Sequence, residues 1–396
     1  MGGVEGYMYP NEINLYWSVL IVVYPYVTGL VAGAFILASL VRIFNVREVA
    51  PTYRLALLTA LAFLIVAPLP LLLHLGHPER SFEMYFTPHD TSAMAMFGYV
   101  YIWYLMAVLL FEIWLDFRQD IILTARSSKG LKRTFYFLLS LGSNNTSEHS
   151  LAIDERAGWI VTLIGIPSAF LLHGYVGFIF GSIKANPWWS SPLMPVVFIF
   201  SAMVSGIALV LLVYMFTTRV RRREIDMPCV DTIAKYLFYI FIIDFVLEML
   251  DLVHRIYVAD ESFRSISFMV HTKLYFSQIV LQIYIGTLAP LLLLGIVQVT
   301  RFSPAVRKAI YVVSAALVEV AVLSMRWNVV IGGQLFSKSF LGYTTYKIGL
   351  ITHEGVLMSI FLTLLPLGIL WILVKILPPW PDLKRGMNHA AGTTMP

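Results

Sequence analysis

The sequence predicts an all-α, polytopic membrane protein of about nine transmembrane helices, and three observations point to it. Of its 396 residues, 59% are hydrophobic and only 13% charged, whereas a soluble domain carries about 25% charged residues. Mostly apolar stretches, each long enough to cross the hydrocarbon of a bilayer at about 1.5 Å per residue, recur along nearly the whole chain. Most Lys and Arg residues collect in alternate connections between these stretches, and most His residues in the others. Mean hydropathy is +0.78.

In chain order the spans cover 15–43, 52–75, 91–117, 158–182, 192–217, 232–258, 271–299, 304–326 and 349–376, and the pattern allows a range of about 8 to 10. An outer segment, 1–14, carries Glu5 and Glu12 where a cleavable leader would be basic, so the first span serves as its own insertion signal. The connection 118–157 is the one long enough for extra structure. Its amphipathic stretch 131–141, with Lys132, Arg133, Phe135, Phe137 and Leu138, reads as a helix lying in the interface, or else as a re-entrant segment. A tail, 377–396, follows the ninth span. Residues 1–396 thus form one membrane domain, arranged as two four-helix bundles plus an added helix.

The loops after the first, third, fifth and seventh spans, together with the tail, hold the basic residues, among them Arg42, Arg47, Arg54 and the run Arg219, Arg221, Arg222 and Arg223. By the positive-inside rule these loops and the tail are cytoplasmic, which puts the N-terminus outside. The formal charge of +5 therefore serves orientation and headgroup anchoring, and does not indicate a nucleic-acid partner. The single cysteine, Cys229, can form neither an internal disulfide nor a thiolate-ligated iron–sulfur cluster, so any such cluster belongs to a partner.

Polar residues gather in two places. The outer loops combine Gly, Pro, His and aromatic residues: His74, His77, Glu79, Arg80 and His89 in the first, Asn186, Trp188 and Trp189 in the second, and Arg326, Asn328, Gln334 and Lys338 in the last. Within the spans, Asp244, Glu248, Asp251 and Arg255 fall on one stripe of the sixth helix. An ionised group at membrane depth costs about 2.5 to 3.5 kcal/mol on insertion scales, so such a file is either a proton relay or a salt-bridge patch between helices. His271, Gln278 and Gln282 in the seventh span, and Lys308, Glu319 and Arg326 in the eighth, repeat the pattern. Glu319 is expected to meet the sixth-helix acids, and Lys308 and Arg326 to reach the headgroups. His173 and Tyr175 lie inside the fourth span. The span histidines all sit in the outer half, which disfavours a pair of b-type haems stacked across the membrane.

The run Leu73-His74-Leu75-Gly76-His77-Pro78-Glu79-Arg80 resembles the signature of NrfD-like membrane subunits, a family that includes the membrane subunit of polysulfide reductase and HybB. Gly174-Tyr175-Val176-Gly177, Pro187-Trp188 and Pro192-Leu193-Met194-Pro195 resemble that family's fourth span, following loop and fifth span, and Gly29 to Gly33 its first. Residues 326–337 and Tyr9-Pro10-Asn11-Glu12-Ile13 resemble its HybB and DsrP branch. The resemblance covers 10–376. It implies a menaquinone or menaquinol site near the outer face, in a subunit of a quinone-dependent oxidoreductase complex rather than a stand-alone enzyme. The implied partners are a ferredoxin-like iron–sulfur subunit outside, a multihaem cytochrome c and other DsrMKJO-like membrane redox subunits of dissimilatory sulfur or sulfate metabolism. Tyr175 matches a tyrosine that hydrogen-bonds the quinone in polysulfide reductase.

Residues and resemblance together assign quinone binding to His74, His77, Arg80, His173 and Tyr175. They assign a path with possible proton translocation to Asp244, Glu248, Asp251, Gln278, Gln282 and Glu319. A partner-facing surface is expected of Asn186, Trp188, Arg326, Asn328 and Gln334. No metal ligands are expected. A purely structural anchor for redox subunits and an ion- or proton-coupled transporter are the alternatives. The first leaves the polar stripes unexplained, and the second lacks the internal repeats of such folds.

Overall fold

The computed structural model describes residues 4–87, 89–258 and 262–380. The side chain of Arg255 and nearly all of the tail 377–396 lie outside the described residues. Helices follow the apolar runs because lipid offers no partner to a bare N–H or C=O, so each span must satisfy its own backbone. The helices are α1 (Val19–Arg42), α2 (Tyr53–Val66), α3 (Leu69–His74), α4 (Glu83–Phe86) and α5 (Ala93–Ile102). A π-helical stretch, Trp103–Leu110, carries α5 into α6 (Phe111–Ser127). Then come α7 (Gly130–Leu139), α8 (Glu148–Gly181), α9 (Met194–Val220), α10 (Met227–Val258) and α11 (Ser262–His271). A second π-helix, Tyr275–Leu288, runs into α12 (Ala289–Val299), followed by α13 (Pro304–Val330) and α14 (Val356–Ile376).

Among the described residues eight helical columns are long and apolar enough to cross a membrane. The remaining long helix is α10, whose 32 residues suffice in length but whose apolar run is broken by Asp244, Glu248 and Asp251. The connection between the third and fourth spans is shorter than expected. α6 runs on to Ser127, and α8 starts at Glu148 because the Ser147 hydroxyl caps it, accepting from the Ser150 N–H.

At the centre stands α1, buried at every residue from Leu20 to Ser39. It packs on α2, α8, α9 and α13. A Cβ on Gly33 would lie 2.1 Å from the Ala202 carbonyl oxygen, and one on Gly206 would lie 2.4 Å from the Gly33 Cα, so only glycine permits this crossing of α1 and α9. Lipid supplies no hydrophobic force between helices, and close backbone approach through small residues takes its place. α1, α2, the α5–α6 column and α8 form one bundle; α9, α10, the column ending in α12, and α13 form the other; α14 packs on α2.

One end of the molecule carries His74, His77 and His353, and is closed by segments far apart in sequence. β1 (Glu5–Gly6) pairs antiparallel with β2 (Gly342–Tyr343), Glu5 opposite Tyr343. Glu12 accepts from the Ser337 hydroxyl at 2.5 Å, and the Trp17 N–H donates to Gln334 Oε1 at 3.1 Å. At the opposite, arginine-rich end, α7 is held by Tyr136, whose hydroxyl donates to the Ile376 carbonyl at 2.7 Å, and by Trp114 Nε1–H, which donates to the Leu139 carbonyl. Leu131, Phe135, Phe137 and Leu138 of α7 stay exposed.

Candidate functional site

The polar centre of the second bundle is built on Arg326 of α13, which is 0% exposed. Its Nη2 donates to the Ser201 hydroxyl at 2.6 Å and to His173 Nε2 at 3.0 Å, and its Nη1 donates to Met325 Sδ at 3.0 Å. The guanidinium carbon lies 4.0 Å from the centroid of the Phe198 ring, on which His173 also stacks. Gly29 of α1 leaves room for the imidazole, since a Cβ there would meet His173 Cε1 at 3.1 Å. A guanidinium only donates, so the nitrogen that receives its N–H, Nε2, is unprotonated, and the hydrogen of the neutral ring must sit on Nδ1. Among the described residues that buried Nδ1 has no hydrogen-bond partner, and neither have the buried Arg326 Nε and Tyr24 hydroxyl.

Carboxylates face this cation. Glu248 of α10 accepts from Gln282 Nε2 at 3.2 Å; Gln282 Oε1 accepts from Asn328 Nδ2 at 2.7 Å; Asn328 Oδ1 accepts from the Ser277 hydroxyl at 2.6 Å. Three helical columns are thereby joined in one chain of hydrogen bonds. Arg326 is within electrostatic reach of both Asp244 and Glu248. Asp244 is buried, and among the described residues its Oδ1 has no hydrogen-bond partner, nor has Gln278 Oε1. Asp251 accepts from the Ser191 hydroxyl. A buried charge is tolerable only beside an opposite one or a full set of hydrogen bonds, and here one cation is shared between two acids.

The structure rearranges several expected groupings. Glu319 does not meet the acids of α10: α13 also packs on α1, and Glu319 Oε2 accepts from the Tyr26 hydroxyl at 2.8 Å. Arg326 does not reach the headgroups, because Ser201, His173 and Phe198 hold it inside. The five residues expected to face a partner turn inward. Asn186 Nδ2 donates to the Gly333 carbonyl, Trp188 Nε1 to the Asn328 carbonyl at 2.9 Å, and Asn328 and Gln334 are bonded as described. These contacts stitch the loop after α8 to the end of α13, which is why the polar and aromatic residues of two loops occur together.

Of the five residues expected to bind quinone, His173 lies in the buried centre and Tyr175 stands near Tyr24 of α1, half-buried and tilted against Phe178. His74 Nδ1 pairs with Glu354 Oε2 at 3.1 Å at the end of the bundle. His77 and Arg80 instead lie exposed, paired with Glu79 at 2.9 Å and Glu83 at 3.0 Å. The bond from Arg80 holds the Glu83 carboxyl below its ordinary range. Sequence reasoning missed Ser201 and Ser277, whose single hydroxyls inside apolar spans carry no periodic signal. It also missed Glu112 and Asp116, which mark one face of the third span's arginine-rich end at i, i+4 spacing.

The fold and this centre define a multi-pass integral membrane protein of the cell membrane that buries an imidazole, a guanidinium and carboxylates together. Comparison with known proteins identifies it further: the family described as "Polysulphide reductase, NrfD" matches residues 9–338, and the chain belongs to that family. It is similar to the C subunit of the selenate reductase of Mesobacillus selenatarsenatis, with 35% identity over 205 residues, 50% of this chain and 48% of that one. It is also similar to protein NrfD of Escherichia coli, with 27% identity over 204 residues, 50% of this chain and 59% of the other. The Hdr-like menaquinol oxidoreductase integral membrane subunit of Archaeoglobus fulgidus is 24% identical over 220 residues, 55% of this chain and 46% of that subunit. The chain spans about half the length of the curated relatives it matches.

Proposed function

We propose that this chain is the quinone-exchanging membrane subunit of a multi-subunit redox complex, passing electrons between menaquinol or menaquinone and the iron–sulfur clusters of a ferredoxin-like partner. The observation that carries this reading is the buried cluster of Arg326, His173 and Asp244, with polar atoms on all three that have no partner among the described residues. Such atoms are costly unless something pairs with them, and a two-ended oxygen acceptor suits the donors. Menaquinol, when bound, supplies two electrons and two protons. His173 presents its Nδ1–H as a donor to one oxygen, while Arg326, fixed by Ser201, stabilises negative charge nearby. Asp244 Oδ1 is positioned to take up a proton, and Glu248, anchored by Gln282, to receive a second and pass it towards Asp251. Tyr24 and Tyr175 supply hydroxyls on the side of α1. This assignment moves the centre of the site inward from His77 and Arg80, and adds Arg326 and Asp244 to it.

A relative named as a menaquinol oxidoreductase subunit supports the quinone, and the NrfD family supports a redox partner. The HybB- and DsrP-like stretches favour a place in dissimilatory sulfur metabolism, with a multihaem cytochrome c among the partners. The test is quinol-dependent electron transfer in the intact complex carrying His173→Phe or Asp244→Asn, together with extraction of bound quinone. Loss of turnover by about 10²-fold, the ordinary contribution of an acid–base group, with assembly retained, is the expected result. Normal turnover in both assembled variants would remove the cluster from the site.

A further inference from the structure

A cleft of about 600 Å³ opens at the arginine-rich end, where the first turns of α10 meet the turn between α12 and α13. Asp231, Lys235, Gln298, Arg301, Arg307 and Tyr311 line it. Its carboxylate is already engaged: Arg307 donates to Asp231, and so does the Tyr311 hydroxyl at 2.7 Å. Lys235 and Arg301 are exposed, and among the described residues neither has an ion-pair partner. Arg307 Nε is buried and has no partner among the described residues. Three cations against one committed anion leave the cleft with donors and positive charge for an oxyanion.

What lies deeper along the same helices decides which oxyanion. On α10, Tyr239, Ile242 and Val246 continue the face of Asp231 and Lys235 at helical spacing, and all three are exposed. On α12, Leu292, Ile296 and Val299 form a second exposed apolar line that ends in the cleft. A soluble anion has no use for such lines. A headgroup with two acyl chains uses both, because the chains cover apolar faces that run from the cleft along two long helical columns.

We propose that this cleft binds the headgroup of an anionic phospholipid, with its phosphate oxygens between Lys235 and Arg301 and its chains on the exposed faces of α10 and α12. The shared chemistry is a phosphate oxyanion, and the experiment separates a lipid from a soluble source. The full-length protein, with whatever subunits accompany it, is stripped of lipid in detergent. It is then titrated separately with dioleoylphosphatidylglycerol, dioleoylphosphatidylcholine and inorganic phosphate, reading bound lipid by native mass spectrometry and the thermal unfolding midpoint. Phosphatidylglycerol is expected to bind saturably and raise the midpoint, and phosphatidylcholine and phosphate to do neither. Lys235→Ala with Arg301→Ala is expected to weaken phosphatidylglycerol by about 30-fold, two interfacial charges' worth, while Lys235→Arg with Arg301→Lys retains it. Equal binding of phosphatidylcholine by the unmodified protein overturns the proposal without recourse to any variant, and so does undiminished phosphatidylglycerol in the folded double variant. Protection by phosphate alone overturns the lipid source in favour of a soluble anion.

Discussion

The two bundles bury similar sets of charged groups and treat them differently. In the first, the four acids that are buried or half-buried near the arginine-rich end, Glu112, Asp116, Asp120 and Asp154, each have a partner in direct contact. Arg42 donates to Asp116 at 2.5 Å and lies 3.6 Å from Glu112; the Tyr53 hydroxyl donates to Asp116 at 2.6 Å and the Thr162 hydroxyl to Glu112 at 2.6 Å. Arg54 donates to Asp120 at 2.8 Å, and Arg118 bonds Asp154. In the second bundle Arg326 spends its hydrogen bonds on a hydroxyl, a thioether and an imidazole, and no carboxylate oxygen lies within 4 Å of it among the described residues. Direct pairing fixes helices to one another. A cation held by neutral groups keeps its field for whatever binds beside it, at a cost that Asp244 and Glu248 offset from farther away.

Breaking that contrast should give effects of different size and kind. Arg326→Met is expected to be the largest in function, lowering quinol-dependent turnover by about 10²- to 10³-fold, as for loss of a preorganised charge stabiliser. Measured in the assembled complex, turnover close to the unmodified protein's would make Arg326 a packing residue like Arg42. Arg42→Met should act on stability instead, costing about 3 to 5 kcal/mol by leaving Asp116 buried without its cation, read as a lower unfolding midpoint in detergent. A midpoint that does not move would show that water replaces the guanidinium.

A milder change sharpens the link between loop and centre. Trp188→Phe removes one hydrogen bond to the Asn328 carbonyl and should cost about 1 kcal/mol, with a small rise in the apparent KM for quinol as Asn328 loosens; unaltered stability and kinetics would mean that Asn186 and Trp189 hold the loop without it. The smallest effect belongs to Arg80→Ala. Turnover should stay within about twofold, as for an exposed ion pair of little net worth, and the Glu83 carboxyl should titrate upward towards its ordinary range, as read by NMR of labelled protein. A large loss of turnover there would return the site to the loop that follows α3.

How far the sequence spoke depends on the kind of signal. Hydropathy and length mark the columns, because lipid leaves a chain no choice but helix, and the NrfD signature is legible in Leu73 to Arg80 and around Tyr175. Periodicity brought Asp244, Glu248 and Gln282 under suspicion, and the structure gathers them in one centre. It misplaced Glu319, since a stripe on one helix does not say which of two neighbours it faces. It was also blurred over Tyr275–Leu288, where the wider π-helical turn shifts the side-chain stripe and lets Thr287 bond the carbonyl of Gln282, five residues back. The motif residues His77 and Arg80 stand in a recognisable run, yet their own neighbours Glu79 and Glu83 occupy them.

The sequence alone determined that this chain crosses the membrane repeatedly, since the cost of bare backbone and of charge in hydrocarbon is a local property of each segment. Packing between helices places Arg326 inside the protein instead of at its rim, and gives His173 the tautomer which leaves Nδ1–H to offer. Both depend on Ser201, Phe198 and Gly29, contributed by other helices, and a hydrogen bond between helices is a matter of three-dimensional register that no single segment encodes.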